Sequence, residues 1–401
     1  MAQPLSLHLE PAKHMALKSE AELLRSALAR NPDNAALREK LAFQHIEVDD
    51  FEAVIELLAA VDPATLSVNA LLRLAKSYYA RRTPAGDVLA RAAAGQALAK
   101  ADAPDRRALA MADMSKADLR ARRDALAEGQ LREALALDPH CSAAFRRLSL
   151  MFLRNARQED ALALADEMWR QGVHHARIIT TRTLALAGLG RIGEARAQCD
   201  LARQVRQVKL PVPEAWSDLA SFNRQLTGEL FANKDRRYEA FGVASQRTYR
   251  VDTPRIGETP AISALLGKIA EAVAAYAQEL EGSDHPWAQA RPAKASLKSW
   301  AVHPDADGFE RWHLHPSGWM SGGYYVAVPD EVSAGTGKAG CIAFGLPGTM
   351  VGEAVAREFG EMLLRPQPGS LILFPSNTYH RTYPHGAAGE RICLAFDIVP
   401  G

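Results

Sequence analysis

Three histidines and an arginine in the last quarter of the chain have the types and spacing of a metal site with an anion-binding partner. Trp312-His313-Leu314-His315-Pro316 sets two imidazoles two residues apart, and on an extended strand residues i and i+2 point to the same side. His313 and His315 can therefore aim at one point. A third imidazole, His380, closes the run Leu371-Ile372-Leu373-Phe374-Pro375-Ser376-Asn377-Thr378-Tyr379-His380, and Arg391 stands near the start of the next strand-like run, Glu390 to Asp397. Two close ligands, one distant ligand and a guanidinium on a neighbouring strand describe a metal on one face of a β-barrel. The guanidinium is then placed to pair with an anionic co-substrate. An alternative early pair, His303 and Asp305, lies ten residues upstream. Pro304 removes a backbone donor between them, and Asp305-Ala306-Asp307-Gly308 reads as a turn. The stretch 313 to 315 also stands nearer the following strand, so His313 and His315 are preferred, with His303 and Asp305 kept open.

The elements that must position these groups come in two grammars. After about residue 295 the chain consists of short apolar runs punctuated by Gly and Pro, such as Ser321-Gly322-Gly323-Tyr324-Tyr325-Val326 and Arg391-Ile392-Cys393-Leu394-Ala395-Phe396. These are strand-and-turn signals. Before about residue 205 it is rich in Ala, Leu and Arg in amphipathic segments of helical period. Asn155 to Ala161 is echoed by Leu189 to Ala195, with Ala161 and Ala195, and Arg157 and Arg191, each 34 residues apart. That is the tetratricopeptide spacing, a helix-turn-helix unit that stacks on its neighbours. Ala27 to Asp33 resembles Ala134 to His140 at an offset of 107, three such periods with a small insertion; the stretch from about 65 to 125 shows no regular repeat. Val208 to Pro213, with two prolines in three residues, reads as a linker. A helix is expected from Ile262 to about Glu281. The division expected is 15–207 helical repeats, 208–295 linker and helical flank, and 296–401 β core.

Composition narrows the function. Lys and Arg number 48 against 47 Asp and Glu, which argues against a nucleic-acid binder built on a broad basic face. No segment approaches the roughly 18 uninterrupted apolar residues of a membrane span, and the first residues carry no apolar signal core. The four cysteines form no CxxC pair, so neither a zinc ribbon nor a disulfide framework is expected, and a reducing cytoplasm is.

Residues Ser299 to Pro400 resemble the double-stranded β-helix core of the iron(II) and 2-oxoglutarate-dependent oxygenases. The resemblance is to a bacterial and phage group in which a H-x-H stretch precedes an S-G-x-Y-Y strand and P-x-x-G, F-P-S, His and a buried Arg follow. Here these read His313 to His315, Ser321 to Tyr325, Pro366-Gln367-Pro368-Gly369, Phe374-Pro375-Ser376, His380 and Arg391. Fusion to tetratricopeptide repeats also occurs among such relatives. The resemblance implies a multidomain α + β chain: an N-terminal α-helical solenoid followed by a jelly-roll oxygenase domain with flanking helices. It implies Fe(II) held by His313 and His380, and 2-oxoglutarate held by Arg391, whose fork of donors suits a carboxylate better than a Lys point charge. The departure is at the third ligand, where most of the superfamily has a carboxylate and this chain has His315. The implied activity is a dioxygenase, a hydroxylase consuming 2-oxoglutarate and oxygen. Its substrate would be a protein, peptide or small molecule presented with help of the repeats. The rival readings are an interaction scaffold with an inactive oxygenase fold and a three-histidine iron dioxygenase that does not use 2-oxoglutarate.

The remaining motifs carry less. Tyr324 and Tyr325 alternate, so one phenol, Tyr325, is expected toward the co-substrate and the other in the core. Ser376 and Asn377 could orient His380 or belong to a loop. Gly335-Thr336-Gly337-Lys338 fails the phosphate-loop pattern, since position 332 is Val and 339 is Ala. His174-His175 reads as surface or packing, His385 as exposed, and Cys393 as a buried small hydrophobe.

Overall fold

The computed structural model describes residues 5–401. By contact the chain forms two compact units. One comprises residues 15–157 with 170–173; the other comprises 158–169 and 174–401, joined by the described residues up to His14.

The first unit is helical. Its helices are α1 Leu17–Arg30, α2 Ala35–Glu47, α3 Phe51–Leu58, α4 Val68–Ala80, α5 Pro84–Lys100, α6 Pro104–Arg120, α7 Asp124–Leu137 and α8 Ser142–Arg154. Their starts follow from sequence: Asn34, Asp50, Ser67 and Thr83 each accept from a backbone N–H of the first turn, and Pro84 and Pro104 open α5 and α6, where a missing N–H is harmless. The 34-residue period also runs through the middle stretch. Tyr79 on α4 donates its hydroxyl to the carbonyl of Asp113 on α6 at 2.5 Å, and Arg147 on α8 pairs with the Asp113 carboxylate at 2.7 Å. Ala93 and Ala127, again 34 apart, are both buried. Alanine carries the period here, and alanine is too common in this chain to mark it.

The second unit begins with α9 Gln158–Arg170, α10 Ala176–Gly188, α11 Ile192–Gln198 and α12 Leu201–Gln204, followed by α13 Leu219–Phe231 and α14 Pro260–Glu279. The compact units thus part at residue 157 rather than at the expected 207/208 boundary. The reason is packing: α10 and α11 lie on the short helices at 348–351 and 353–359, and Arg196 donates to the carbonyl of Phe359 at 3.1 Å. The strands are β1 Ser6–Leu9, β2 Arg206–Lys209, β3 Arg237–Tyr238, β4 Ser245–Val251, β5 Lys294–Glu310, β6 Met320–Ala327, β7 Ile342–Phe344, β8 Met362–Leu364, β9 Ser370–Pro375, β10 His380–Thr382 and β11 Ile392–Pro400. The segment read as a linker therefore starts as strand β2, paired antiparallel with β9, and its prolines follow the strand end.

The large sheet runs β2-β9-β6-β11-β5-β4-β3, with β1 parallel to β5, and the small sheet runs β10-β7-β8. The two make the jelly-roll framework. Alternation along the central strands serves two cores. Tyr324, Leu371, Leu373, Leu394 and Ala301 pack with Leu226, Ile262, Leu265 and Ile269 of α13 and α14. Tyr325, Ile372, Phe374, Cys393 and Val302 pack with Ile342 and Phe344 of the small sheet. Among the described residues α14 is the one helix long and apolar enough to cross a membrane. Here it is a core helix whose first amides at Ala261 and Ile262 are both accepted by the Glu229 carboxylate at 2.9 Å. Gly322 permits the tight spacing of β6, since a Cβ there would stand 2.4 Å from the carbonyl oxygen of Ile372.

Candidate metal centre

Strand β5 ends at Glu310, and the chain then crosses to the small sheet, where His313 bridges to His380 through two backbone hydrogen bonds of 2.9 Å. His315 is anchored by its own amide, which donates to the carbonyl of Ser376 at 3.0 Å. His380 opens β10, paired with Phe344 of β7. The loop before it is braced by α10, whose Thr180 hydroxyl donates to the carbonyl of Asn377 at 2.6 Å. These supports bring one nitrogen each of His313, His315 and His380 within 4.8 Å of one another.

The protonation pattern follows from the partners. Nδ1 of His313 lies 2.7 Å from the carbonyl oxygen of Arg311, and Nδ1 of His380 lies 3.0 Å from that of Thr378. Nδ1 of His315 lies 2.5 Å from a carboxylate oxygen of Asp397. All three partners are acceptors, so each Nδ1 carries the proton and each Nε2 presents a lone pair. The Nε2 atoms of His313 and His315 are only 3.3 Å apart. Two acceptors at that distance repel unless a cation lies between them. A proton is a poor candidate: burial, then the neighbouring His315, pushes His313 down to about 3, and burial together with both neighbouring imidazoles holds His380 well below the ordinary range. A divalent metal suits three neutral imidazoles. Phe374 and Trp300 flank His315 and Phe344 flanks His380, with ring centroids 5.3 to 6.0 Å away, giving the centre an apolar wall.

These shifts imply a pH dependence of known sign. A histidine whose folded pKa is depressed takes up its proton in the unfolded chain first, so the fold loses stability as pH falls below about 6.5. For metal-free protein the loss through His313 is at most about 1.4 kcal/mol per pH unit until its pKa near 3, and His380 adds in the same direction. Denaturant unfolding of metal-free protein at pH 7.5, 6 and 4.5 measures the slope, which should flatten in His313→Gln; equal slopes in the two proteins would contradict the assignment.

Arg391 is 3% exposed. Its nearest hydrogen-bonding group is the Tyr325 hydroxyl at 3.5 Å, its Nε has no partner, and among the described residues no carboxylate pairs with it. A buried guanidinium without a counter-charge is unfavourable by several kcal/mol, and an anionic ligand would offset that. Tyr324, on the other face of β6, instead donates to Asn223 at 2.9 Å.

The alternative early pair is engaged elsewhere. Nδ1 of His303 lies 2.8 Å from Arg236, and Asp305 accepts from Tyr238 and Arg247. The turn expected at 305–308 is a bulge within β5: Thr248 of β4 faces Pro304 and Gln246 faces Phe309. His385, expected exposed, is 5% exposed. Cys393 is buried, and burial pushes its thiol up to about 12, which makes it inert. Lys338 of the rejected phosphate-loop motif pairs with Glu361 at 2.7 Å. Sequence reasoning missed four contributors: the carbonyls of Arg311 and Thr378, Asp397, and Glu310. The partly buried Glu310 accepts from Ser245 at 2.6 Å, burial raises its pKa, and Arg250, Arg391 and His315 act against that rise. Backbone carbonyls leave no mark in a sequence; for Asp397 the signal is limited to an acid within a strand-like run, with nothing to name its partner.

Residues 298–397 match the family model described as "Putative 2OG-Fe(II) oxygenase". The matched stretch is about a quarter of the chain and lies within the second unit. No curated protein matches the chain. Among solved structures, a Pseudomonas putida prolyl-4-hydroxylase is 18% identical, covering 50% of this chain and 96% of its own, with a TM-score of 0.34. YrrB, a TPR protein with an unusual peptide-binding site, is 16% identical over 45% of this chain and 94% of its own, with a TM-score of 0.33. SnoK, a non-heme α-ketoglutarate-dependent carbocyclase from nogalamycin biosynthesis, is 11% identical over 50% and 82%, with a TM-score of 0.35. In chain order the matched stretch follows the helical unit.

Proposed function

We propose that the chain is an iron(II)- and 2-oxoglutarate-dependent dioxygenase that hydroxylates a protein, peptide or small molecule. The observation that carries this reading is the presence, in one domain, of three inward lone pairs and a buried guanidinium whose Nε has no hydrogen-bond partner and which makes no salt bridge among the described residues. When bound, iron(II) supplies a redox centre at which oxygen reduction is coupled to decarboxylation of 2-oxoglutarate. His313, His315 and His380 hold the metal through Nε2. Arg391 takes the distal carboxylate of 2-oxoglutarate with two parallel donors, and the Tyr325 hydroxyl steadies the guanidinium. Phe344, Phe374 and Trp300 keep bulk water from the centre. The repeat unit presents substrate or a partner, a role suited to stacked helical repeats that offer an extended surface to a peptide. The four free, buried cysteines fit a reducing, cytoplasmic setting.

The imidazole in the usual carboxylate position favours one rival, a three-histidine dioxygenase without 2-oxoglutarate. An oxygen pulse on anaerobic iron(II)-loaded protein separates the two. Succinate that forms only when 2-oxoglutarate is present supports the proposal. Failure of 2-oxoglutarate to bind the iron-loaded protein would overturn it, as would failure of iron(II) to bind at all.

A further inference from the structure

The three imidazoles are not equivalent behind the metal-facing side. His313 and His380 direct Nδ1 at neutral backbone carbonyls, whereas His315 directs Nδ1 at the carboxylate of Asp397, 2.5 Å away. Asp397 sits on β11 opposite Ser321 of β6, and the same carboxylate oxygen accepts from the Ser321 hydroxyl at 2.7 Å. Ser321 in turn lies 2.6 Å from the hydroxyl of Ser376, whose carbonyl accepts from the His315 amide. Gly318 makes room for this ring of contacts, since a Cβ there would stand 2.4 Å from the Ser376 hydroxyl. The Asp397 side chain is 15% exposed and accepts from Nδ1 of the His315 ring. Among the described residues no lysine or arginine forms a salt bridge with it.

We propose that Asp397 is a positioning residue that restores, through His315, the negative charge a directly ligating carboxylate would supply. The proposal rests on the metal-centre reading above. A carboxylate behind a ligating imidazole fixes its tautomer and ring angle and polarises its N–H, which strengthens the Nε2 lone pair toward a metal. The chain has thus moved its acidic group from the ligand position to the far side of the ligand. The hydrogen bond is made to one imidazole, so the positioning effect acts through His315, beyond the weaker through-space pull of the same charge on His313.

The test is Asp397→Asn, which keeps the shape, an acceptor oxygen and the bond to Ser321 while removing the charge. Iron(II) and cobalt(II) are titrated anaerobically into the full-length protein, with affinity and the cobalt absorption spectrum as readouts. The expected result is affinity for both metals weaker by about 10- to 100-fold, an altered cobalt spectrum, and unfolding of the metal-free protein at the wild-type midpoint. In a His315→Ala background the same substitution should bring no further loss. Wild-type affinity in Asp397→Asn would overturn the proposal while leaving the metal centre standing. An equal loss in the His315→Ala background would also overturn it, because the effect would then be general to the fold. A wild-type protein that binds neither metal would remove the metal reading itself and this proposal with it.

Discussion

His380→Ala should abolish useful iron(II) binding, with affinity falling by roughly a hundredfold or more. The magnitude follows from dividing the apparent 10–16 kcal/mol of a four-ligand structural zinc site among its ligands, about 3 kcal/mol each. His380 is suited to show the full effect because it is 4% exposed and its ring is fixed on both sides. Nδ1 is tied to Thr378, and the ring packs against Phe374 and Phe344, with centroids 4.6 and 5.9 Å away. Anaerobic titration of the variant against wild type, with His303→Ala as a control, measures the difference. His303 is committed to Arg236 and stacked at 6.0 Å on Tyr249, so its loss should leave iron affinity at the wild-type value. Iron binding by His380→Ala within a factor of two of wild type, or a matching loss in the control, would refute the three-imidazole site.

The second large effect is expected at Arg391. Arg391→Met should weaken 2-oxoglutarate binding by about 100-fold or more, since breaking a buried charge pair by removing one partner costs about 3–5 kcal/mol. Arg391→Lys should fall between the two, because it keeps the charge but loses the two-pronged geometry. Iron(II) affinity should stay unchanged in both. A further signature separates this role from a structural one. In the ligand-free protein the guanidinium is buried, with no partner at Nε and no salt bridge among the described residues, so the apolar Arg391→Met should unfold at the same or a higher temperature than wild type. The same variant should lose the stabilisation that saturating 2-oxoglutarate confers on wild type with manganese(II) in place of iron. A variant that unfolds at a lower temperature yet still gains the full ligand stabilisation would assign Arg391 to the fold.

Much of the site was legible because strands impose a period of two. Tyr324 and Tyr325 alternate on β6 as that period requires, and the Pro-Gly and Phe-Pro-Ser punctuation marked the strand that leads to His380; His313 and His315, expected on a strand, converge instead from the irregular segment between β5 and β6, where His313 makes an isolated bridge to His380. The repeats were legible where Arg157 and Arg191 marked the period and illegible from 65 to 125, where buried alanines such as Ala93 and Ala127 carried it. Asp397 was visible as a residue and invisible as a participant. Its partner is 82 positions away, and nothing local distinguishes an inward acid that meets an imidazole from one that meets water.

By itself the sequence determined the order of the two architectures, the residue types that can ligate a metal, and the cation that can take an anion. Those are properties of local spacing and side-chain chemistry, which a linear text preserves. Tertiary structure alone decided that His380 reaches the H-x-H pair, that all three Nε2 lone pairs converge, and that Asp397 stands behind His315. It also decided that the last repeat hairpin, α10 and α11, belongs to the oxygenase unit and holds the His380 loop through Thr180 and Asn377. Such contacts join residues about 65 to 200 positions apart, and they exist only once the sheets close and bring separate strands within a hydrogen bond of one another.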